Sequence, residues 1–382
     1  MKFMEYQARE TFDQYGIPVM KGVVIDQVEG VEGKLDGLTF PLVVKAQVQV
    51  GGRGKAGGIQ FADTVEDVKR ISQQLLHSDL KGHTIHKLMI VEKAASGKEC
   101  YLSIILDRLT KAPMVIFSAE GGVDIEETAV TNPSAIIKMP IDTTIGIQKY
   151  MIQYIVNKAG LAQEVIPALL DLITRLYEMF VSTDSMLAEI NPLLVLKDHT
   201  LIALDGKVDV DDSALYRQPK VLEYRDSIQE DPLVLDARQF RLLYIPVEDE
   251  GDIAVISNGS GMLMSSIDLI SKAGMVVGAA LDLGGGATAD RIKEAIRIVL
   301  LREKTKYLFV NIFGGITRCD EVANGVRDAM TTQPKDRCVI VRLEGTNKQK
   351  GIDILQSAES DVVSVDGLQE GVQALVNRRE SV

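Results

Sequence analysis

The chain has 382 residues, 46% hydrophobic and 25% charged, with a formal net charge of −12 and three cysteines. A chain this long exceeds one ordinary core and implies about two or three domains, while its composition excludes a fibre or a disordered polymer. The acidic balance excludes a broad interface with the nucleic-acid backbone, and no apolar run approaches the roughly 18 residues of a membrane-spanning helix.

From the N-terminus, Met4 to Tyr15 carries a charged helical pattern without the basic, apolar and small-residue regions of a secretory leader. A cytoplasmic location is therefore expected, or a mitochondrial one if a transit peptide has been removed. Cys100, Cys319 and Cys338 are scattered and odd in number, which fits a reducing compartment and neither a disulfide framework nor a metal cluster. Gly16-Ile17-Pro18 breaks the helix, and Gly22 to Ile25 reads as a strand. A second strand, Pro41 to Val48, runs into the glycine-rich stretch GGRGKAGG, Gly51 to Gly58. A helix follows from Thr64 to Leu76, with Thr64 as N-cap and acids in its first turn.

Strands are expected at Leu88–Glu92, Glu99–Leu106 and Met114–Ser118, the last leading into Glu120-Gly121-Gly122-Val123-Asp124-Ile125-Glu126. Helical periodicity returns from Gly146 to Lys158 and from Gln163 to Val181. Next comes a hairpin, Leu187 to Leu196 and Thr200 to Leu204, turning at Lys197-Asp198-His199. This first region is α+β with mostly antiparallel sheets. The polar stretch from Tyr216 to Asp236 reads as a linker, and beyond it the pattern changes. Five strand-like runs, Ile253–Ser257, Val276–Asp282, Tyr307–Phe313, Cys338–Leu343 and Asp361–Val365, alternate with helices. That alternation implies a doubly wound parallel sheet with functional residues at the carboxyl ends of its strands. Those ends are glycine-rich: Asn258-Gly259, Leu283-Gly284-Gly285-Gly286, Gly314-Gly315-Ile316 and Glu344-Gly345.

The hairpin carries polar groups in an apolar setting. Glu189 and Asn191 share one face of its first strand, and Asp205 and Lys207 lie at the end of the second. Two carboxylates and an amide oxygen can then converge on Mg²⁺ that is also bound by substrate phosphates. GGRGKAGG suits a phosphate-covering loop in which Arg53 and Lys55 add charge. It is not a P-loop, because Gln49 stands where the first glycine belongs and Ala56 where Ser or Thr is required. Lys45, inside the aliphatic run PLVVKAQV, must either turn to solvent or meet an anion, and a nucleotide phosphate is one such partner. Gly284 to Ala289 formally fits the dinucleotide pattern, but the following strand ends in Asn311-Ile312-Phe313-Gly314 without the required acid, so NAD binding is not expected. His77, His83, His86 and His199 lie in polar stretches away from every glycine-rich site, and surface positions are expected for them.

MEYQAR, VVKAQVQVGGRGKAGG, EGGVDIE, AEINPL, LDGK, RQP, LGGGAT, NIFGGITRCD and RLEGTN occur in that order along nearly the whole chain. With these motifs in one register, the sequence resembles the β-subunit family of succinyl-CoA synthetase (succinate–CoA ligase). The resemblance implies an N-terminal ATP-grasp domain over residues 1–236 and a flavodoxin-like CoA-ligase domain over 237–382. It implies a nucleotide site at Lys45, Gly52, Arg53, Gly54, Glu92, Ala95 and Glu99, and Mg²⁺ on Asn191 and Asp205. Glu189 would face the histidine that is phosphorylated, and Asn258, Gly315, Ile316 and Thr317 would take the acid substrate. That histidine and most of the coenzyme A site would belong to an α subunit, in an αβ or α₂β₂ assembly. The implied reaction consumes ATP, a carboxylate and coenzyme A and passes through an acyl phosphate and a phosphohistidine. The phosphate would be held by Asn258-Gly259-Ser260-Gly261 at the start of a helix expected from Met262 to Ser271.

Three positions depart from the family pattern. The spacing from Glu92 to Glu99, which sets Ala95, is one residue shorter. Met20 stands where GTP-preferring members often carry glutamine, which favours ATP, and Thr317 replaces the usual valine. The Thr317 hydroxyl is expected either to bond a neighbouring backbone carbonyl, leaving succinate preferred, or to meet a polar substituent on a related dicarboxylate such as malate. Two other classes stay open: an ATP-grasp ligase that forms an acyl phosphate without coenzyme A, and a nucleotide-binding partner without catalysis.

Overall fold

Aliphatic side chains at consecutive positions of a strand have both faces to bury, and Leu42–Ala46, LVVKA, is buried along its whole length. In the computed structural model it lies inside a four-stranded antiparallel sheet, ordered Gly22–Ile25, Leu88–Glu92, Leu42–Ala46, Ile59–Ala62. The structure describes residues 1–382 except 51, 124, 228–230, 333–336, 358–360 and 381–382. Gly51 of the glycine-rich stretch, Asp124 of EGGVDIE and residues 228–230 of the expected linker therefore lie outside the described residues. The chain divides into two units, Met1–Ile228 and Gln229–Val382.

The first unit also holds a six-stranded antiparallel sheet. Its order is Leu201–Ala203, Ser185–Val195, Lys98–Asp107, Ala112–Ser118, Ile137–Pro140, with Gly206–Val210 pairing the other half of Ser185–Val195. Helix Ile166–Ser182 buries Leu169, Leu172, Ile173, Leu176 and Met179, a helical stripe that joins Leu102, Ile104, Ala188 and Ile190 of the sheet in one core. Helix Glu5–Gln14 buries Glu5, Ala8 and Phe12 at helical spacing, so an acid sits on its buried stripe. Thr64 caps helix Val65–Leu75 by accepting from the Asp67 N–H.

The expected hairpin is present, but its return arm is two strands. Leu201–Ala203 pairs Leu193–Val195, and Gly206–Val210 pairs the Ser185–Ile190 half. Pro192 lacks the N–H needed to continue the ladder, and the register shifts between Ile190 and Leu193. Leu204 and Asp205 fall at that break. Strands Ile59–Ala62 and Ile137–Pro140 were not expected; both are four-residue edge strands, too short for a period-2 signal to stand out.

The polar stretch expected as a linker folds into helices Pro219–Asp226 and Pro232–Gln239, each with proline in its first turn. Proline there sets φ for the helix and removes a donor that would have no partner. The boundary expected between 236 and 237 falls inside the second of these helices.

In the second unit the sheet order is Leu243–Pro246, Val277–Asp282, Ile253–Ser257, Tyr307–Gly314, Cys338–Gly345, Val362–Val365. The five expected strands are parallel, and Leu243–Pro246 adds an antiparallel edge. In chain order the parallel strands run 2-1-3-4-5, the flavodoxin-like arrangement. Alternate side chains face alternate layers: Ile253 and Val255 join Leu263, Ile270 and Leu375, while Ala254 and Ile256 join Ile292, Ile296 and Val322. The order reverses between Ile253–Ser257 and Tyr307–Gly314, so the crevice for a ligand opens beyond Ser257 and Gly314.

Candidate functional site

An ammonium inside an aliphatic strand needs an anion, and Lys45 finds one on the first helix. Its Nζ donates to Glu5 Oε1 at 2.7 Å and to the Leu204 carbonyl at 2.9 Å. Arg53 folds inward from the glycine-rich loop, reaching Glu5 Oε2 at 2.7 Å, Asp205 Oδ2 at 3.1 Å and the Ala46 carbonyl at 3.0 Å. The Lys45 and Arg53 side chains are each 11% exposed, Glu5 3% and Asp205 32%. A nucleotide phosphate is therefore not what permits Lys45 to be buried; Glu5 does that.

Burial works to raise the Glu5 carboxyl, but Lys45 and then Arg53 outweigh it and hold it below its ordinary value. Burial and then repulsion from Glu5 push the Asp205 carboxyl upward, against the pull of Lys45 and Arg53. Burial disfavours the charged Arg53, yet Glu5 and Asp205 hold its guanidinium above its usual range.

The loop that carries Arg53 closes on itself, with the N–H groups of Ala56 and Gly58 donating to the Arg53 carbonyl. Gly52 and Gly57 take φ of +69° and +82°, which L side chains rarely adopt. Gly54 and Lys55 are exposed on this loop. Beside the charged cluster, Met20 packs with Val43, Met89 and Val91 as an apolar patch. A crevice lined by Glu5, Met20, Val91, Leu204 and Asp205 joins the two.

Asn191 and Asp205 stand opposite one another, the Asn191 N–H donating to the Asp205 carbonyl at 3.2 Å. Asn191 Oδ1 accepts from Gly122 N–H at 2.8 Å, and its Nδ2 donates to the Val123 carbonyl at 3.0 Å. Asp205 Oδ1 accepts from Gly206 N–H at 2.8 Å. Each of these oxygens thus has one protein donor and a second lone pair to offer a hard cation. Such a partial oxygen set fits Mg²⁺ that completes its shell with phosphate and water. Among the described residues, no group of three or more His, Cys, Asp or Glu is placed to hold a metal alone. Glu189 is engaged elsewhere than the hairpin pattern suggested: it lies opposite Lys207 and accepts from the Tyr101 hydroxyl at 2.9 Å.

Glu92 and Glu99 bracket the segment that passes from the four-stranded to the six-stranded sheet, with Ala95 exposed at its middle. Glu92 Oε1 accepts from Thr39 N–H at 2.9 Å, and the Glu99 carbonyl accepts from Gly121 N–H at 3.1 Å. Gly122 passes so close to Glu99 that a Cβ would lie 2.3 Å from its Oε2, so no side chain fits there without moving the carboxylate.

In the second unit, Asn258 clips the two strands at the order reversal. Its Oδ1 accepts from Phe313 N–H at 3.0 Å and its Nδ2 donates to the Phe313 carbonyl at 2.9 Å. Gly315 and Ile316 are exposed at the crevice, whereas Thr317 is 1% exposed. Thr317 Oγ1 accepts from the Gly286 N–H at 3.0 Å. The Thr317 oxygen thus has a backbone amide as its donor, because the Gly284–Gly286 turn presents its N–H side to the Thr317 loop. Just beyond, Asp320 is 2% exposed and accepts from Arg318 twice, from Lys350 at 2.9 Å and from Asn347 at 3.1 Å. Helix Ser260–Lys272 begins at this crevice two residues earlier than expected, with Ser260 Oγ donating to Asp282 Oδ2 at 2.6 Å.

Reading the sequence by motif missed Glu5 and Tyr101, and it placed Gly286 at a functional strand end without its partner Thr317. Glu5 had a signal, an acid in register with Ala8 and Phe12 on the apolar stripe. Tyr101 acts across a long sequence separation and had none. His77 and His83 are exposed and His86 and His199 half-buried, away from these clusters.

Residues 2–195 match an ATP-grasp domain model and residues 256–376 a CoA-ligase model. The β subunit of succinate–CoA ligase [ADP-forming] from Desulfatibacillum aliphaticivorans is 40% identical over 378 residues, covering 97% of each chain. That from Persephonella marina is 39% identical over 98% of each. That from Alkaliphilus metalliredigens is 38% identical over 98% of this chain and 96% of the relative. Among solved structures, ATP citrate lyase from Methanothrix soehngenii, in complex with citrate and coenzyme A, superposes with a TM-score of 0.77 at 17% identity. It covers 98% of this chain and 99% of its own, a likeness of fold alone. With full-length identity of this order to three such ligases, and with both domain models in place, the chain belongs to the β-subunit family of ADP-forming succinate–CoA ligases.

Proposed function

We propose that the chain is the nucleotide-binding β subunit of a succinate–CoA ligase. With an α subunit it would convert ATP, succinate and coenzyme A into ADP, phosphate and succinyl-CoA, through succinyl phosphate and a phosphohistidine on the partner. The observation that carries this reading is the convergence of Lys45, Arg53 and Asp205, with Asn191 joined to Asp205 through the backbone, beside the apolar Met20, Met89 and Val91. An apolar patch suits a purine and paired cations suit its phosphates.

In this reading Glu92, Ala95 and Glu99 take the base and ribose, Gly52 to Gly54 cover the phosphates, and Lys45 and Arg53 neutralise them. Mg²⁺, when bound, would offset the charge of the phosphates. Asn191 and Asp205 hold that ion through oxygens already fixed by Gly122 and Gly206. Glu189, held by Tyr101, orients the partner's histidine. Asn258 shapes the crevice where backbone at Gly315, Ile316 and Thr317 meets the substrate carboxylate, and the start of helix Ser260–Lys272 offers free N–H groups to phosphate. The Gly286 N–H gives the Thr317 oxygen a partner from the protein itself, which supports succinate over malate.

Among the described residues no helix is long and apolar enough to cross a membrane. Calorimetry and product analysis test the reading together. The isolated chain should bind Mg-ATP and make no thioester, and added α subunit should restore succinyl-CoA formation. Thioester made by the pure chain would sink the two-subunit assignment.

A further inference from the structure

Lys45 and Arg53 are two cations held almost out of water, and one carboxylate, Glu5, bridges both through its two oxygens. Burying either cation unpaired would be costly. Asp205 pairs with Arg53 as well, so two acidic side chains already face the two cations before any nucleotide arrives. Of the three Lys45 ammonium hydrogens, two are spent on Glu5 and the Leu204 carbonyl. An incoming phosphate must therefore bind alongside the Glu5 carboxylate, against its charge, or replace it.

Glu5 also stands where sequence alone would place a helix former. It lies in the first turn of its helix but points into the protein, 6% exposed, not towards the N–H groups of that turn. Gln47, whose Oε1 accepts from Tyr6 N–H at 2.9 Å, walls its other side. Nothing about forming the helix requires a carboxylate at this buried position.

We propose that Glu5 is an intramolecular stand-in for nucleotide phosphate: it holds Lys45 and Arg53 in place while the site is empty and opposes phosphate when the nucleotide binds. The inference deepens the nucleotide-site reading and rests on it. It predicts effects of opposite sign on stability and affinity. In Glu5→Gln the nucleotide-free protein loses the anion that bridges its two cations, so its melting temperature falls. The same loss removes the charge that phosphate must oppose, so binding tightens. A residue that merely braced the helix would lower stability and affinity together.

The experiment measures melting of the full chain without ligand and calorimetric Kd for Mg-ATP and Mg-ADP, for wild type and Glu5→Gln in complex with the α subunit. The expected result is a lower melting temperature with Mg-ATP bound on the order of tenfold more tightly, since a like charge one side chain away is strongly felt in a partly buried site. In steady state, KM for ATP and kcat should both fall, as ADP leaves more slowly. Where Glu5→Gln does not fold, Glu5→Asp decides, because it keeps the charge but lacks the reach to bridge both cations; tighter binding supports the stand-in. An equal or weaker Kd in the folded variant overturns it while leaving the nucleotide site intact. Failure of wild type to bind Mg-ATP would remove the site itself and the inference with it.

Discussion

Tyr101 donates its phenolic hydrogen to Glu189 Oε2 at 2.9 Å, across the antiparallel pairing of Lys98–Asp107 with Ser185–Val195. Burial and then the Glu189 charge push the Tyr101 hydroxyl above its ordinary value, so it stays a donor across the working pH range. The bond helps to fix the carboxylate of half-buried Glu189, and fixed carboxylates orient imidazoles better than mobile ones.

Tyr101→Phe removes that bond and the hydroxyl's contact with Ser103, while the ring, 4% exposed, keeps its packing. Phosphorylation of the α-subunit histidine should slow by roughly tenfold, the order of a positioning contact. Mg-ATP affinity should stay at the wild-type value. Single-turnover phosphoryl transfer from labelled ATP gives the rate, and an unaltered rate would detach Tyr101 from the chemistry.

Asp205→Asn discards one charge from the oxygen pair proposed for Mg²⁺ and one partner of Arg53. Phosphoryl transfer depends on positioning and charge neutralisation, so the rate should fall on the order of 10²-fold or more. A readout without turnover is the shift in melting temperature produced by ATP with and without Mg²⁺. The metal-dependent part of that shift should vanish in the variant, and its survival would remove Asp205 from the ion.

Asp320 supplies a pH-dependent prediction. Its hydrogen bonds from Arg318 lead, and those from Lys350 and Asn347 add, so they outweigh burial and hold the carboxyl well below the ordinary carboxylate range. A carboxyl lowered on folding adds stability that is fully present above its unfolded value of 3.8 and is lost as pH falls below that value. Asp320→Asn should therefore be less stable at pH 7, by about 1–3 kcal/mol for broken charged hydrogen bonds. The gap should narrow as pH drops below 4, following the ordinary carboxyl pKa of about 3.9. Denaturant unfolding of both proteins across pH measures it, and a gap independent of pH would assign the loss to packing.

How much of this was legible beforehand depends on the range of each interaction. The second unit's five parallel strands were readable because each is a short, mostly apolar run alternating with helical segments, and four of them lead into glycine-rich ends. The antiparallel edge Leu243–Pro246 was not, since exposed Leu243 and Ile245 look like loop hydrophobics until a neighbour is known. In the first unit, Lys45 announced itself as a cation in need of an anion. Which anion was invisible, because Glu5 lies 40 residues away and reaches it only through the tertiary fold. Polar stretches mislead in the same way: Tyr216 to Asp236 has the composition of a linker, yet Pro219 and Pro232 each open a helix.

In the proposed reading the preference among acids turns on a single buried hydroxyl. Thr317 Oγ1 accepts from the Gly286 N–H, and this bond ties the Gly284–Gly286 turn to the loop that follows Gly314. Valine has nearly the same shape but no acceptor, so Thr317→Val leaves a part-buried amide without its partner, at a cost of ~1–3 kcal/mol. That cost falls on the ordering of the turn and not on any group of the substrate. Both proteins should therefore prefer succinate to malate, with KM for succinate rising several-fold in the variant and kcat changing less. A site built to pair a substrate hydroxyl behaves differently, since it rejects the analogue that lacks one far more strongly. Competition between succinate and malate, followed as kcat/KM with the α subunit present, separates the two cases. A wild-type preference for malate that reverses in Thr317→Val would show that the hydroxyl serves the ligand and that the Gly286 contact is incidental.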